Sequence, residues 1–289
     1  MKRIGIFPNL EKDKQLDVTN ILIGKLLRDG LNIMLPKDMA SHINQKRLGV
    51  DKEELFKSAD VVISVGGDGT FLRAARNVCC LGTPILGINA GNLGFLAEVD
   101  KNNLDKVSDA LLNNNYRIEE RMVLEARVLV DGYESETYYA VNEAVISRGR
   151  ISRIINNIKI ELDEKVIDQF PADGVIISTP TGSTAYSLSA GGPLVEPDMN
   201  LMVITPISPH ILHARSIVVS DRKSVTIIID DKNQNDSMLT IDGQESHALT
   251  NSHKVNIFKS NHTLKVIKLT DRAFFDIVRD KLFDRNGRR

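Results

Sequence analysis

The chain has 289 residues, 42% hydrophobic and 26% charged, with Lys and Arg numbering 37 against 38 Asp and Glu. That balance describes a globular protein with enough chain for one large or two modest domains. A formal net charge of -1 gives no global attraction to nucleic acid or an anionic membrane, so neither is expected as a partner and any affinity for phosphate must be local. No stretch is apolar for the length of a bilayer span and the N-terminus lacks the pattern of a secretory signal, so a cytoplasmic location is expected. Cys79 and Cys80 are adjacent, which offers neither a disulfide framework nor zinc spacing, and both are expected as buried apolar residues. His210 and His213 have helical spacing, but Pro209 and the strand-like sequence after them argue against a metal pair.

In chain order, residues 3–7 read as a first strand, and Leu22, Ile23, Leu26 and Leu27 recur at helical spacing before Gly30, a helix stop. Residues 31–35 predict a second strand, 53–57 a short helix and 61–65 a buried strand. Residues 70–76 then read as helix and 84–88 as strand, and Leu104, Val107 and Leu111 share one helical face. Alternating strand and helix predicts a doubly wound parallel sheet over residues 1–118. Near residue 118 the pattern becomes short β-branched runs at 122–130, 141–147, 157–162, 175–178, 224–229 and 255–258. A β-rich, sandwich-like domain is therefore expected over 119–269. Phe274, Val278 and Leu282 return to helical spacing, predicting a tail at 270–289 that docks on the first domain; its basic end, 285–289, reads as a solvated terminus.

The run 61–65 ends in Gly66-Gly67-Asp68-Gly69-Thr70. Ligands of open α/β sheets gather at the carboxyl ends of such strands. Three glycines permit a sharp turn and close approach of a ligand, amides can face phosphate oxygens, and one carboxylate stands among them. Read alone, the motif is equally consistent with an ordinary turn. A second glycine-rich run, 87–95, also follows a strand and could wall the same cleft. Neither run carries a P-loop or the dinucleotide fingerprint of a dehydrogenase.

Farther on, Asn142-Glu143 interrupts an apolar strand with groups able to read a base edge and ribose hydroxyls. Residues 172–193 begin with a buried strand and then run through small and hydroxylated side chains around Tyr186. Such a block supplies little core but presents hydroxyls, amides and a stacking face.

These motifs, with Asp242-Gly243-Gln244, resemble in order and spacing those of the NAD kinases of bacterial type. The resemblance spans nearly the whole chain. Its first motif is shared with diacylglycerol kinases, sphingosine kinases and phosphofructokinases, whereas the run 182–193 is highly specific. The resemblance implies an N-terminal α/β domain, a β-rich C-terminal domain, and association as a homodimer or homotetramer. It implies phosphorylation of the adenosine-ribose 2′-hydroxyl of NAD to NADP, with ATP or another donor and a divalent metal, Mg²⁺ or Mn²⁺. In that reading Asp68 is the general base and Gly66, Gly67, Gly69 and Thr70 bind donor phosphates. By similarity Asp68 and Gly69 also line the NAD site, Asn142 and Glu143 contact the adenosine portion, and Thr184, Ala185, Tyr186, Ser187, Leu188 and Ser189 wrap the dinucleotide. Arg73 is placed to approach phosphate, and Arg153, Asp173 and Gln244 match further contacts. The chain departs from the family at 169–172, where a basic residue is often found. A lipid or sugar kinase with the same glycine loop, or a non-catalytic NAD-binding regulator, are the alternatives.

Overall fold

The computed structural model describes residues 2–91, 94–130, 132–149, 154–229, 237–250 and 253–283. They form two compact units, one built from 1–120 and 264–289, the other from 121–263. Arg153 and the basic end at 285–289 lie outside the described residues.

The first unit is α/β. Its elements are β1 (Arg3–Pro8), α1 (Asp17–Arg28), β2 (Asn32–Pro36), α2 (Lys37–His42), β3 (Gly49–Val50), α3 (Lys52–Ser58), β4 (Val61–Gly66), α4 (Asp68–Val78), β5 (Ile85–Asn89), β6 (Val99–Asp100) and α5 (Asp105–Asn113). The strand order is β3-β2-β1-β4-β5, with β6 on β5, and these strands pair in parallel. Parallel strands are covered by helices on their faces, which is why β4 is buried at all six positions. Ile4, Ile63 and Leu86 of the sheet share a core with Leu22 and Leu26 of α1 and with Val107 and Leu111 of α5. The chain leaves β1 for β2 on one side and returns to β4 on the other, so the order reverses at β1. That reversal opens a crevice at the carboxyl ends of β1 and β4.

Helix ends follow local chemistry. Gly30 stops α1 with a φ of +78°. At the other end of α1 the buried Asp13 carboxylate accepts from the amides of Val18 (3.0 Å) and Thr19 (2.9 Å) and from the Thr19 hydroxyl (2.6 Å). Cys79 is buried but Cys80 is exposed, correcting the expectation that both fill the core. Past the end of α4, neighbouring residues point about 100° apart, so only one can face inward.

The second unit holds β7 (Arg117–Val130), which starts in the first, then β8 (Tyr133–Ala140), β9 (Glu143–Arg148), β10 (Ile155–Leu162), β11 (Lys165–Ala172), β12 (Gly174–Ser178), α6 (Tyr186–Ser189), β13 (Leu201–Ile207), β14 (Ile217–Ser220), β15 (Val225–Ile229), β16 (Ser237–Ile241), β17 (Glu245–Leu249) and most of β18 (His253–Lys268). One antiparallel sheet has the order β14-β13-β12-β9-β16-β17. A second runs β11-β10-β15-β18, with β7 pairing β18 and β8. Alternate residues of both, such as Ile146, Val175, Ile177 and Leu239 against Ile158, Ile227 and Ile257, share one core. This is the sandwich expected of period-two strands with one apolar face each.

Beyond β18 the chain continues into α7 (Phe274–Val278) and a π-helical stretch, Arg279–Phe283. Val266 pairs in parallel with Ile85 of β5. The Glu98 side chain accepts from the amides of Leu269 (3.0 Å) and Thr270 (2.8 Å) and from the Thr270 hydroxyl (2.7 Å), and its other oxygen pairs with Lys268.

Candidate functional site

β4 delivers Gly66 at its end, Gly67 caps α4, and Asp68 is the first helical residue. The helix therefore begins two residues earlier than its apolar spacing predicts, because Asp is favoured in a first turn. The glycines differ in why they are glycine. A Cβ at Gly66 would lie 2.4 Å from Thr70 Oγ1, whereas nothing among the described residues lies within 4 Å of a Cβ at Gly67 or Gly69. The backbone at Gly67 thus has room for close approach. Thr70, expected to hold donor phosphate, also has a structural place. It is buried, its amide donates to Gly67 O (2.9 Å), and its hydroxyl accepts from Asn9 Nδ2 (3.0 Å), so it fastens the loop to the chain after β1.

Asp68 is held by the second glycine-rich run. Phe95 N donates to Asp68 Oδ2 at 2.9 Å and Leu96 N to Oδ1 at 3.1 Å. A Cβ at Gly94 would fall 1.9 Å from Asp68 Oδ1, so only glycine lets this strand of backbone lie against the carboxylate. Each carboxylate oxygen has two acceptor directions, and among the described residues these amides take one on each. Arg73 is exposed on α4, five residues beyond Asp68.

In the second unit Asn142 and Glu143 are both buried, at 6% and 5% exposure. The strand begins at Glu143, with Asn142 in the bend before it, so β9 is two residues shorter at this end than its apolar pattern predicts. Asp242 imposes that bend. It accepts from the amides of Val141 (3.0 Å), Asn142 (2.7 Å) and Glu143 (3.1 Å), and its own amide donates to Glu143 O (3.0 Å). Asp242 and Gly243 have φ of 50° and 64°, the left-handed conformation that Asp-Gly turns adopt in hairpins. In the sequence this motif points to a role only for Gln244. Gln244 is exposed and its amide closes the turn on Ile241 O at 3.0 Å.

Among the described residues, Asn142 Oδ1, Glu143 Oε2 and Thr181 Oγ1 are buried polar atoms without a hydrogen-bond partner. Such atoms are rare in folded proteins and are expected to meet a partner supplied from outside. Burial, reinforced by the nearby Asp242 charge, pushes the Glu143 carboxyl up to about 8. Near neutral pH it is therefore a neutral carboxyl that donates as well as accepts, rather than the carboxylate its sequence suggests.

The small-hydroxyl block is only partly a surface. Thr179 donates to Val141 O (2.7 Å) and accepts from Gly182 N (3.0 Å), Ser183 bonds Val195 in both directions at 3.1 Å, and Ser187 pairs with Thr205 (3.1 Å). A Cβ at Gly182 would lie 2.3 Å from Asn142 O. Ser187, expected among the dinucleotide contacts, has its side chain wholly buried, because α6 presents only one side outward. Thr184, Ala185, Tyr186, Leu188 and Ser189 remain at least partly accessible, with Tyr186 and Ser189 exposed. Asp173 is ion-paired with Arg148 at 2.9 Å.

The ATP-NAD kinase N-terminal domain family matches residues 4–116 and the ATP-NAD kinase C-terminal domain family residues 141–269. The chain is 39% identical over 285 residues to an NAD kinase of Acetivibrio thermocellus, covering 99% of this chain and 98% of that protein. It belongs to the NAD kinase family. A Caldanaerobacter subterraneus NAD kinase is 43% identical, with 99% and 100% covered. Family membership makes the chain a kinase, a phosphotransferase that acts on NAD. In fold it is similar to yeast NADH kinase complexed with NADH (TM-score 0.89, 23% identity, 99% of this chain and 89% of that one). It is similar as well to an Archaeoglobus fulgidus NAD kinase in complex with ATP (TM-score 0.74, 24% identity, 96% of each chain).

Proposed function

We propose that the chain transfers the terminal phosphoryl group of ATP, or of another phosphoryl donor, to the 2′-hydroxyl of the adenosine ribose of NAD. The observation that carries this reading is Asp68, fixed by two backbone amides one residue past Gly67, whose backbone leaves room for a ligand. As the ribose oxygen attacks the γ-phosphorus, the bond from phosphorus to the β,γ-bridging oxygen breaks and ADP leaves. Asp68 takes the hydroxyl proton, a contribution of about 10²- to 10⁴-fold. The amides at the start of α4 and the guanidinium of Arg73 meet charge on the phosphates. Asn142, Glu143 and Thr181 supply buried hydrogen-bonding atoms for the dinucleotide, and Tyr186 a stacking face.

Among the described residues no group of three or more His, Cys, Asp or Glu side chains is arranged to hold a metal ion. A divalent cation, Mg²⁺ or Mn²⁺, would come with the donor as its metal complex and offset phosphate charge. The test is Asp68→Asn, assayed with NAD, Mg²⁺ and ATP through an NADP-specific dehydrogenase. Turnover should fall by about 10²-fold or more while NAD still binds; wild-type turnover would remove Asp68 from the base role.

A further inference from the structure

The helix that Asp68 begins, α4, ends at Val78, and its C-cap is Cys79, whose amide donates to Ala75 O at 2.8 Å. Cys80 stands in the turn that follows, which Leu81 N and Gly82 N close on Val78 O at 3.0 and 3.1 Å. Cys79 is buried and Cys80 exposed, yet their Sγ atoms lie 3.7 Å apart. We propose that this pair is a reversible modification site, a dithiol that a low-molecular-weight disulfide such as glutathione disulfide oxidises to a bond between Cys79 and Cys80. The inference stands apart from the kinase reading, which gives neither sulfur a role.

Three observations support it. The first is a division of labour between the two sulfurs. A thiol reacts as its thiolate and where a reagent can reach it, which Cys80 satisfies by its exposure, whereas Cys79 is shielded from an outside disulfide but faces the Cys80 sulfur. Cys80 gives its proton to solvent and attacks one sulfur of glutathione disulfide, whose S–S bond breaks to release one glutathione thiolate. Cys79 then gives up its proton and attacks the Cys80 sulfur of the mixed disulfide, expelling the second glutathione. Two electrons pass from the protein to the small disulfide, and the two protons released convert both glutathiones to thiols. The second observation is the spacing along the chain. Neighbouring Cα atoms are about 3.8 Å apart, closer than the range of about 4.4–6.8 Å in which disulfides are relaxed. The closed ring is therefore strained and easily reduced, as labile disulfides are and structural ones are not. The third is the position past the last regular turn of α4. The torsions that bring the sulfurs together, ψ of Cys79 and φ of Cys80, lie beyond the Cys79 amide. Their rotation leaves its bond to Ala75 O in place and is taken up in the turn, which reverses through Gly82 at a φ of +69°.

The test uses the full chain, in which these are the only cysteines. Reduced, desalted protein is exposed to glutathione disulfide in mildly alkaline buffer, and intact mass, thiol titration and a non-reducing gel are read for wild type, Cys79→Ser and Cys80→Ser. Wild type should lose both titratable thiols and the mass of two hydrogen atoms, run as a single chain, and recover both thiols on treatment with dithiothreitol. Cys79→Ser should stop at one glutathione adduct on Cys80, and Cys80→Ser should stay unmodified while circular dichroism shows it folded. A lasting glutathione adduct on wild type, a disulfide-linked pair of chains, two thiols that persist in excess oxidant, or glutathione on Cys79 in folded Cys80→Ser would each overturn the proposal. The wild-type readings need neither variant to fold, so serine at the buried position cannot leave the result open.

Discussion

At the scale of single residues, the carboxylate of Asp68 is positioned by an absence, the missing Cβ of Gly94. Alanine at 94 would need the space that all three carboxyl atoms of Asp68 occupy, at 1.9 to 2.5 Å. We expect Gly94→Ala to push the carboxylate off its amides and to lower kcat by about 10²-fold, the scale of a 1 Å misplacement. Steady-state kinetics would check this, with thermal denaturation showing that the variant folds. Glu143 makes a different prediction. Its folded-state pKa, about 8, lies above the ordinary glutamate value of 4.5, so the native state holds a proton that the unfolded chain releases as pH rises. Its contribution therefore weakens stability as pH climbs from about 5 to 8, with a limiting slope of about 1.4 kcal/mol per pH unit. Denaturant unfolding across that range should show the decline, and Glu143→Gln, which keeps a donor and an acceptor without a titration, should flatten it. An equal slope in the variant would assign the pH dependence elsewhere.

Among elements, the segment after β18 is secured by one side chain more than by its own helix. α7 is short and its Phe275 is exposed, whereas Glu98 ties Lys268, Leu269 and Thr270 to the sheet. The Glu98 and Lys268 side chains are 3% and 10% exposed. Glu98→Ala would leave a buried ammonium and two backbone amides without their acceptor, a loss of about 3–5 kcal/mol. Denaturant unfolding, with limited proteolysis after β18, would measure it; an unchanged midpoint would mean that β18 alone holds the segment. Elements were unequally legible in sequence. β4, α1 and α5 announce themselves because burial on one face or both imposes a regular apolar pattern. β8 and β17 do not, since most of their exposed positions are polar and each has a single buried position, Ala140 and Leu249, which leaves no apolar alternation to read. α2 has six residues, too few for a helical period to emerge.

For the whole molecule, the kinase reading predicts linkage between ligand and stability. NAD at 100 times its Kd should add about 2.7 kcal/mol to unfolding, seen as a higher Tm by scanning fluorimetry, and Asn142→Ala should reduce the shift by removing a buried unpartnered acceptor. A full shift in that variant would take Asn142 out of the dinucleotide contacts. By itself the sequence determined the fold class, an α/β unit and a β-rich one, and placed Asp68 at the carboxyl end of a buried strand. Both follow from local period and from glycine chemistry, which are written in neighbouring residues. Only the tertiary structure decided that Asp68 is held by Phe95 and Leu96, that Asp242 sets the bend at Asn142, and that Ser187 and Thr70 face inward. Those outcomes join residues from 18 to 101 positions apart, and which of several equally polar side chains turns outward is fixed by packing among distant segments rather than by local propensity.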